Sequence, residues 1–161
     1  MVDNIIANIL SRLPADWGKG YSNVWLGVTV ENPTFLKRVD ILREIPAVIH
    51  FISAEPLLAD ISHGLNLDEI DWLIAGGESG PKFRHMDLDW ARKLRDKAKE
   101  ANAAFFFKQQ AGPESGTSPW RDGKQYREFP VALPTHGKKE KVAVKEPQAC
   151  MVGRGECCPS F

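Results

Sequence analysis

Three segments of eight residues end on a glutamate: VWLGVTVE (24–31), VIHFISAE (48–55) and DWLIAGGE (71–78). Aligned without gaps, they place Glu31, Glu55 and Glu78 at one shared position. A fourth apolar run, AAFFFKQQ (103–110), finishes on Lys108 and Gln109. Carboxylates gathered at one rim and partly removed from water raise one another's pKa unless a cation, an amine or a metal stands between them. Lys108 reads as the counter-ion that the chain itself supplies. Such a set of titratable groups points to a bound ligand more than to a solvated edge.

The residues beside the glutamates carry a second choice of reading. Asn32 precedes Pro33, the order of a helix N-cap followed by proline at the first helical position. It is therefore either a cap or a member of the rim. Gly76, Gly77, Glu78, Ser79 and Gly80 form a glycine-rich loop without the spacing of a P-loop or of a dinucleotide fingerprint. The next helix starts only near Asp87, so a helix N-terminus does not grip phosphate here. The glycines serve a turn, or their backbone amides line a pocket where a side chain would collide. Arg84 and His85 follow this loop, within reach of its ligand or in a solvated stretch. His50 stands alone and reads as a core residue. The spacing Cys150, Cys157, Cys158 fits no structural zinc pattern.

These residues need elements to position them. Near-continuous apolar runs of this length suit parallel strands covered on both faces. Between them lie helical patterns. One runs over residues 2–13. Another starts at Asn32, repeats through Leu36, Val39, Leu42 and Ile45, and exits at Pro46. A third starts at Asp87, with Leu88, Ala91, Leu94, Ala98 and Ala101 on its buried face. The stretch between Glu55 and Asp71 has room for a short helical turn around residues 67–70. This alternation predicts an α/β fold of four mostly parallel strands and helices, resembling half of a β/α barrel. Strand C-termini converge on one edge in such folds, and that edge carries the site. Residues 1–130 read as this domain and residues 131–161 as a flexible tail.

Composition sets the bounds. Apolar residues are 43% and charged residues 26% of the chain, which is globular and not disordered composition. The 21 basic and 21 acidic side chains cancel, so net charge does not indicate a nucleic-acid partner. No run approaches the roughly 18 apolar residues of a membrane helix, and MVDNIIANIL lacks the basic region of a signal peptide. A cytoplasmic protein without a membrane association is the expectation. Three cysteines, all after residue 149, make no disulfide framework.

NVWLGVTVEN, FISAEPLL, DWLIAGGESGP with MDLDWARKLRD, and FFFKQ resemble the C-terminal half of a phage-encoded, largely uncharacterised protein family. Its members also occur in bacterial genomes as proteins of radical S-adenosylmethionine type, and the likeness runs over about residues 10–130. The resemblance implies a partial β/α barrel. In complete members it implies S-adenosylmethionine and an iron–sulfur cluster held by three closely spaced cysteines near the N-terminus. This chain has no cysteine before Cys150, so no cofactor of its own is expected and the cluster-binding half is expected to be absent. The residues that match the family motifs are Glu31, Asn32, Glu55, Gly76, Gly77, Glu78, Lys108 and Gln109.

Two functions follow as expectations. In the first, the chain is a truncated or split radical-S-adenosylmethionine-like protein that lacks catalysis on its own and retains a strand-end ligand site. A half-barrel leaves two open strand edges, so self-association or a partner protein is expected to cover them. In the second, it is a small phage-encoded binding protein that binds or inhibits a host factor, such as a defence nuclease system.

Overall fold

Four short apolar runs pair side by side, and every pairing is parallel. The computed structural model describes residues 2–116 and 124–131. Its elements, in order, are α1 (Val2–Leu10), β1 (Leu26–Thr29), a 3-10 turn (Pro33–Phe35), α2 (Lys37–Arg43), β2 (His50–Ala54), β3 (Trp72–Ala75), α3 (Leu88–Glu100) and β4 (Ala104–Phe107). This is an α/β fold, as the alternation predicts, in a single sheet that is not closed.

The strand order is β1-β2-β3-β4. Consecutive parallel neighbours joined by right-handed crossovers put every connection on one face. Burial follows that geometry. Val30, Ile52, Ala54, Leu73, Ala75, Phe105 and Phe107 join one core with Val39 and Leu42 of α2 and Ala91, Leu94 and Ala98 of α3. Their neighbours along each strand, Thr29, Phe51, Ser53, Trp72, Ile74, Ala104 and Phe106, are only half-buried. The expected cover on both faces is thus present on one face among the described residues.

The β2–β3 connection has no helix among the named elements. It buries Leu57, Ile61, Leu65, Leu67 and Ile70 against the sheet instead. Each such side chain contributes roughly 1.5–3 kcal/mol when fully buried, enough to hold an irregular crossover in place. Residues 67–70 form a turn and not a helical segment. Ile70 N–H donates to Leu67 O at 3.1 Å, Asn66 Oδ1 accepts from Asp68 N at 2.9 Å, and Glu69 sits at φ 60°. A left-handed residue there ends any helical continuation.

Helix ends follow their caps. Asn32 Oδ1 accepts from Thr34 N at 2.9 Å and opens the 3-10 turn, and Asp87 caps α3 by accepting from Asp89 N at 2.9 Å. Past the C-cap Ala101, Asn102 takes φ 55°, the left-handed position that closes α3. The helix expected over residues 32–45 is divided, because the Pro33 turn closes at Leu36 before α2 begins. α1 is shorter than the 2–13 expected; past Leu10 the chain closes with Arg12 N–H on Ile9 O and Leu13 N–H on Leu10 O. His50 is a core residue whose Nε2 lies 2.8 Å from Ile45 O.

Residues 124–131 lie along the outer edge of β4 and run antiparallel to it. Phe107 N–H donates to Tyr126 O at 2.8 Å, and Glu128 N–H to Phe105 O at 3.0 Å. Trp72 Nε1 donates to Glu128 O at 2.9 Å, which ties this strap across the uncovered face. Of the expected tail only Val131 is described; Cys150, Cys157 and Cys158 lie outside the described residues. Among the described residues no helix is long and apolar enough to cross a membrane.

Candidate functional site

The backbone ladder decides which side chains share a level. Thr29 pairs with Ser53, Ala54 with Ala75, and Ala75 with Phe107. The ladder continues past the strands, with Val30 N–H on Ser53 O, Gly76 N–H on Ala54 O and Lys108 N–H on Ala75 O. Glu31, Glu55, Gly76 and Lys108 therefore stand in one row at the strand C-termini, on the face that no helix covers among the described residues.

Glu78 is not in that row. Phe51 pairs with Trp72, an offset of 21 residues and not the 23 of the gapless alignment. The slip of two keeps every side chain on its face, but it puts Gly76 at the level expected for Glu78. Glu55 occupies the space this frees: a Cβ on Gly76 would meet Glu55 Oε1 and come within 3.3 Å of its Cδ.

The Glu55 side chain is 20% exposed. Its Oε2 accepts from Ser53 Oγ at 3.4 Å and from Lys108 Nζ at 3.5 Å, while Oε1 is buried with no partner among the described residues. Lys108 is the counter-ion, though half-exposed and at long range, so the pair is worth at most about 1 kcal/mol. On the other side, Arg38 Nη1 donates to Glu31 Oε2 at 3.2 Å and to Thr29 O at 2.7 Å. The row thus reads cation, carboxylate, carboxylate, cation. Two like charges on neighbouring strands repel unless cations offset them, and here each carboxylate has a cation of its own, Arg38 for Glu31 and Lys108 for Glu55.

Below this row lies an aromatic floor. Trp72 is its centre, with ring centroids 5.8 Å from Trp25, 5.9 Å from Phe51, 6.1 Å from Phe106 and 5.2 Å from Phe129. Gly27 makes space for it, since a Cβ there would run into the Phe51 ring.

The other sequence candidates do different work. Glu78 is clasped by Arg84, whose Nε and backbone N donate to Oε2 at 2.8 Å and whose Nη2 donates to Oε1 at 2.7 Å. These hydrogen bonds hold the Glu78 carboxyl down at about 2. A folded pKa below the unfolded value contributes stability above the ordinary carboxylate range, lost as pH falls through about 2. Carboxyl NMR titration is expected to place Glu78 near 2 and to return it towards 4.5 in Arg84→Ala; an unchanged midpoint in that variant would show that the clasp is not the cause.

Gln109 is buried, with Nε2 donating to Gly77 O at 2.9 Å and Oε1 accepting from Gly116 N at 2.6 Å and Ser115 Oγ at 3.2 Å. It braces the loop after β4. Gly77 lets that loop approach, because a Cβ on it would run into Ala111 N. Ser79 bridges to Gly112 through its backbone and is exposed. Asn32 is the cap already described. His85 lines a separate cleft of 330 Å³ with Phe83, Met86, Asp87, Leu88, Gln110 and Ala111.

Sequence reading passed over Arg38, Ser53 and the aromatic floor. Arg38 sits seven residues after Glu31, in the helix that directly follows its strand, which is the available signal. The floor was hidden because residues of both faces are apolar, so strand alternation is silent. Among the described residues, no group of three or more His, Cys, Asp and Glu side chains is placed to hold a metal.

An open parallel α/β sheet, with a charged row over an aromatic floor at its strand C-termini, defines the class. The chain belongs to the family described as a protein of unknown function, DUF5131, which it matches over residues 3–144. No curated protein and no solved structure matches it.

Proposed function

We propose that this protein is a ligand-binding half of a radical-S-adenosylmethionine-like, phage-related β/α barrel that does no catalysis on its own. One observation carries the reading: the row of Arg38, Glu31, Glu55 and Lys108 on the uncovered face, above Trp72 and Phe51. A ligand ammonium would supply the donor that buried Glu55 Oε1 lacks among the described residues, and a planar, apolar body would stack on the rings. S-adenosylmethionine has an ammonium and an adenine, so the residues present fit it. They do not fit an iron–sulfur cluster, which takes thiolate ligands: no cysteine lies among the described residues, and no step is derived through one.

Calorimetry tests this directly. Titration of S-adenosylmethionine into the folded protein is expected to give binding heat. Glu55→Gln is expected to weaken binding at least roughly tenfold, a loss of about 1.4 kcal/mol, while Glu78→Gln leaves it unchanged. No heat from the wild type, or equal loss in both variants, overturns the reading.

A further inference from the structure

Trp72 already carries a ring of its own chain. Phe129 lies 5.2 Å from it, centroid to centroid, at an interplanar angle of 38°. Trp25, Phe51 and Phe106 meet the same indole at 87°, 54° and 90°. Offset-stacked rings sit with centroids roughly 4.5–7 Å apart. Of these four neighbours Phe129 comes nearest to that posture, so it occupies the place on Trp72 that a planar ligand would take.

The ring is held lightly, while the strap that carries it is held firmly. Tyr126 O accepts from Phe107 N at 2.8 Å, and Glu128 N donates to Phe105 O at 3.0 Å. Glu128 Oε2 accepts from Phe105 N at 3.0 Å, and Glu128 O accepts from Trp72 Nε1 at 2.9 Å. None of these bonds passes through Phe129, which is 60% exposed. Pro130 follows it and restricts the Phe129 backbone to extended conformations. What can move is therefore the side chain, by rotation about χ1 between staggered rotamers. Such a rotation breaks two ring contacts, with Trp72 and with Phe106 at 5.5 Å.

We infer that Phe129 is a resident occupant of the aromatic floor, and that a purine base binds there by displacing its ring while the strap stays in place. The inference rests on the floor being the stacking half of the proposed ligand site. It makes Phe129 the residue that sets affinity for the base. A ligand gains only the difference between its own stacking and that of the phenyl ring it replaces. A bicyclic base covers more of the indole than a phenyl ring does, so the exchange runs in its favour.

NMR titration with adenosine tests this, because adenosine carries the base without the ammonium and reads the floor apart from Glu55. Phe129→Ala is expected to bind adenosine roughly threefold to tenfold more tightly than the wild type, the range of one aromatic pair. Slow amide exchange at Phe107 and Glu128 checks that the strap is still in place in the variant. In the wild type, saturation with adenosine is expected to abolish the NOE between the Phe129 and Trp72 rings while those two amides stay protected. If the variant loses its strap, this wild-type measurement decides alone. Equal or weaker adenosine binding in folded Phe129→Ala overturns the inference, since Phe129 is then a platform and not an occupant. So does binding to neither protein, or a saturated wild type that keeps the Phe129–Trp72 contact. Failure of S-adenosylmethionine to bind, with adenosine tightened in Phe129→Ala, removes the proposed ammonium site and leaves this inference standing.

Discussion

Gly77→Ala is expected to destabilise the protein by roughly 3 kcal/mol or more, at the upper end of overpacking substitutions. An alanine Cβ would collide with Ala111 N and lie 2.6 Å from Ala111 Cα and 2.7 Å from Gln110 C. These are backbone atoms and cannot swing aside. The loop after β4 would have to withdraw, and it is held by Gly77 N–H on Gln109 O and by Gln109 Nε2 on Gly77 O, both at 2.9 Å. Each lost hydrogen bond costs about 1 kcal/mol more. Against a total of about 5–15 kcal/mol, this is a large share. Urea unfolding measures it, and a change below about 1 kcal/mol would contradict the close approach.

The same substitution one residue earlier is expected to act on binding and not on folding. A Cβ on Gly76 meets Glu55 Oε1, with Cδ at 3.3 Å and Cγ at 3.4 Å. These atoms end a flexible side chain that can rotate outward, so the stability change should stay within roughly 1 kcal/mol. The rotation takes the carboxylate away from Ser53 and Lys108, its partners at 3.4 and 3.5 Å. Affinity for S-adenosylmethionine is then expected to fall at least roughly tenfold. Calorimetry and urea unfolding on one preparation separate the two effects. Wild-type affinity in folded Gly76→Ala would remove Glu55 from the ligand site.

The contrast between these glycines explains what the sequence discloses. Runs of apolar residues and the Asn32 and Asp87 caps are local signals, and they locate the four strands and both later helices. Register is not local. It is set by backbone pairing and by how the crossover with Leu57, Ile61 and Leu65 packs, and a gapless comparison of strings carries neither. The gapless alignment therefore puts Glu78 two residues too low on its strand, and the glycine run reads as loop where Gly76 is the space that Glu55 fills. Gln109 shows the converse. An amide side chain suits a ligand, but this one is occupied by Gly77, Ser115 and Gly116 of its own chain, and such partners appear only once the chain is folded.

A sheet packed on one face among the described residues has a thermal consequence. Globular proteins gain about 12–15 cal/mol/K per residue in heat capacity on unfolding, mostly from apolar surface newly wetted. Here Phe51, Trp72 and Phe106 are only partly buried in the native state and Phe129 is 60% exposed, so somewhat less surface remains to be wetted. The curve of stability against temperature is correspondingly shallow. Whatever settles on the aromatic floor deepens that curve as well as raising it.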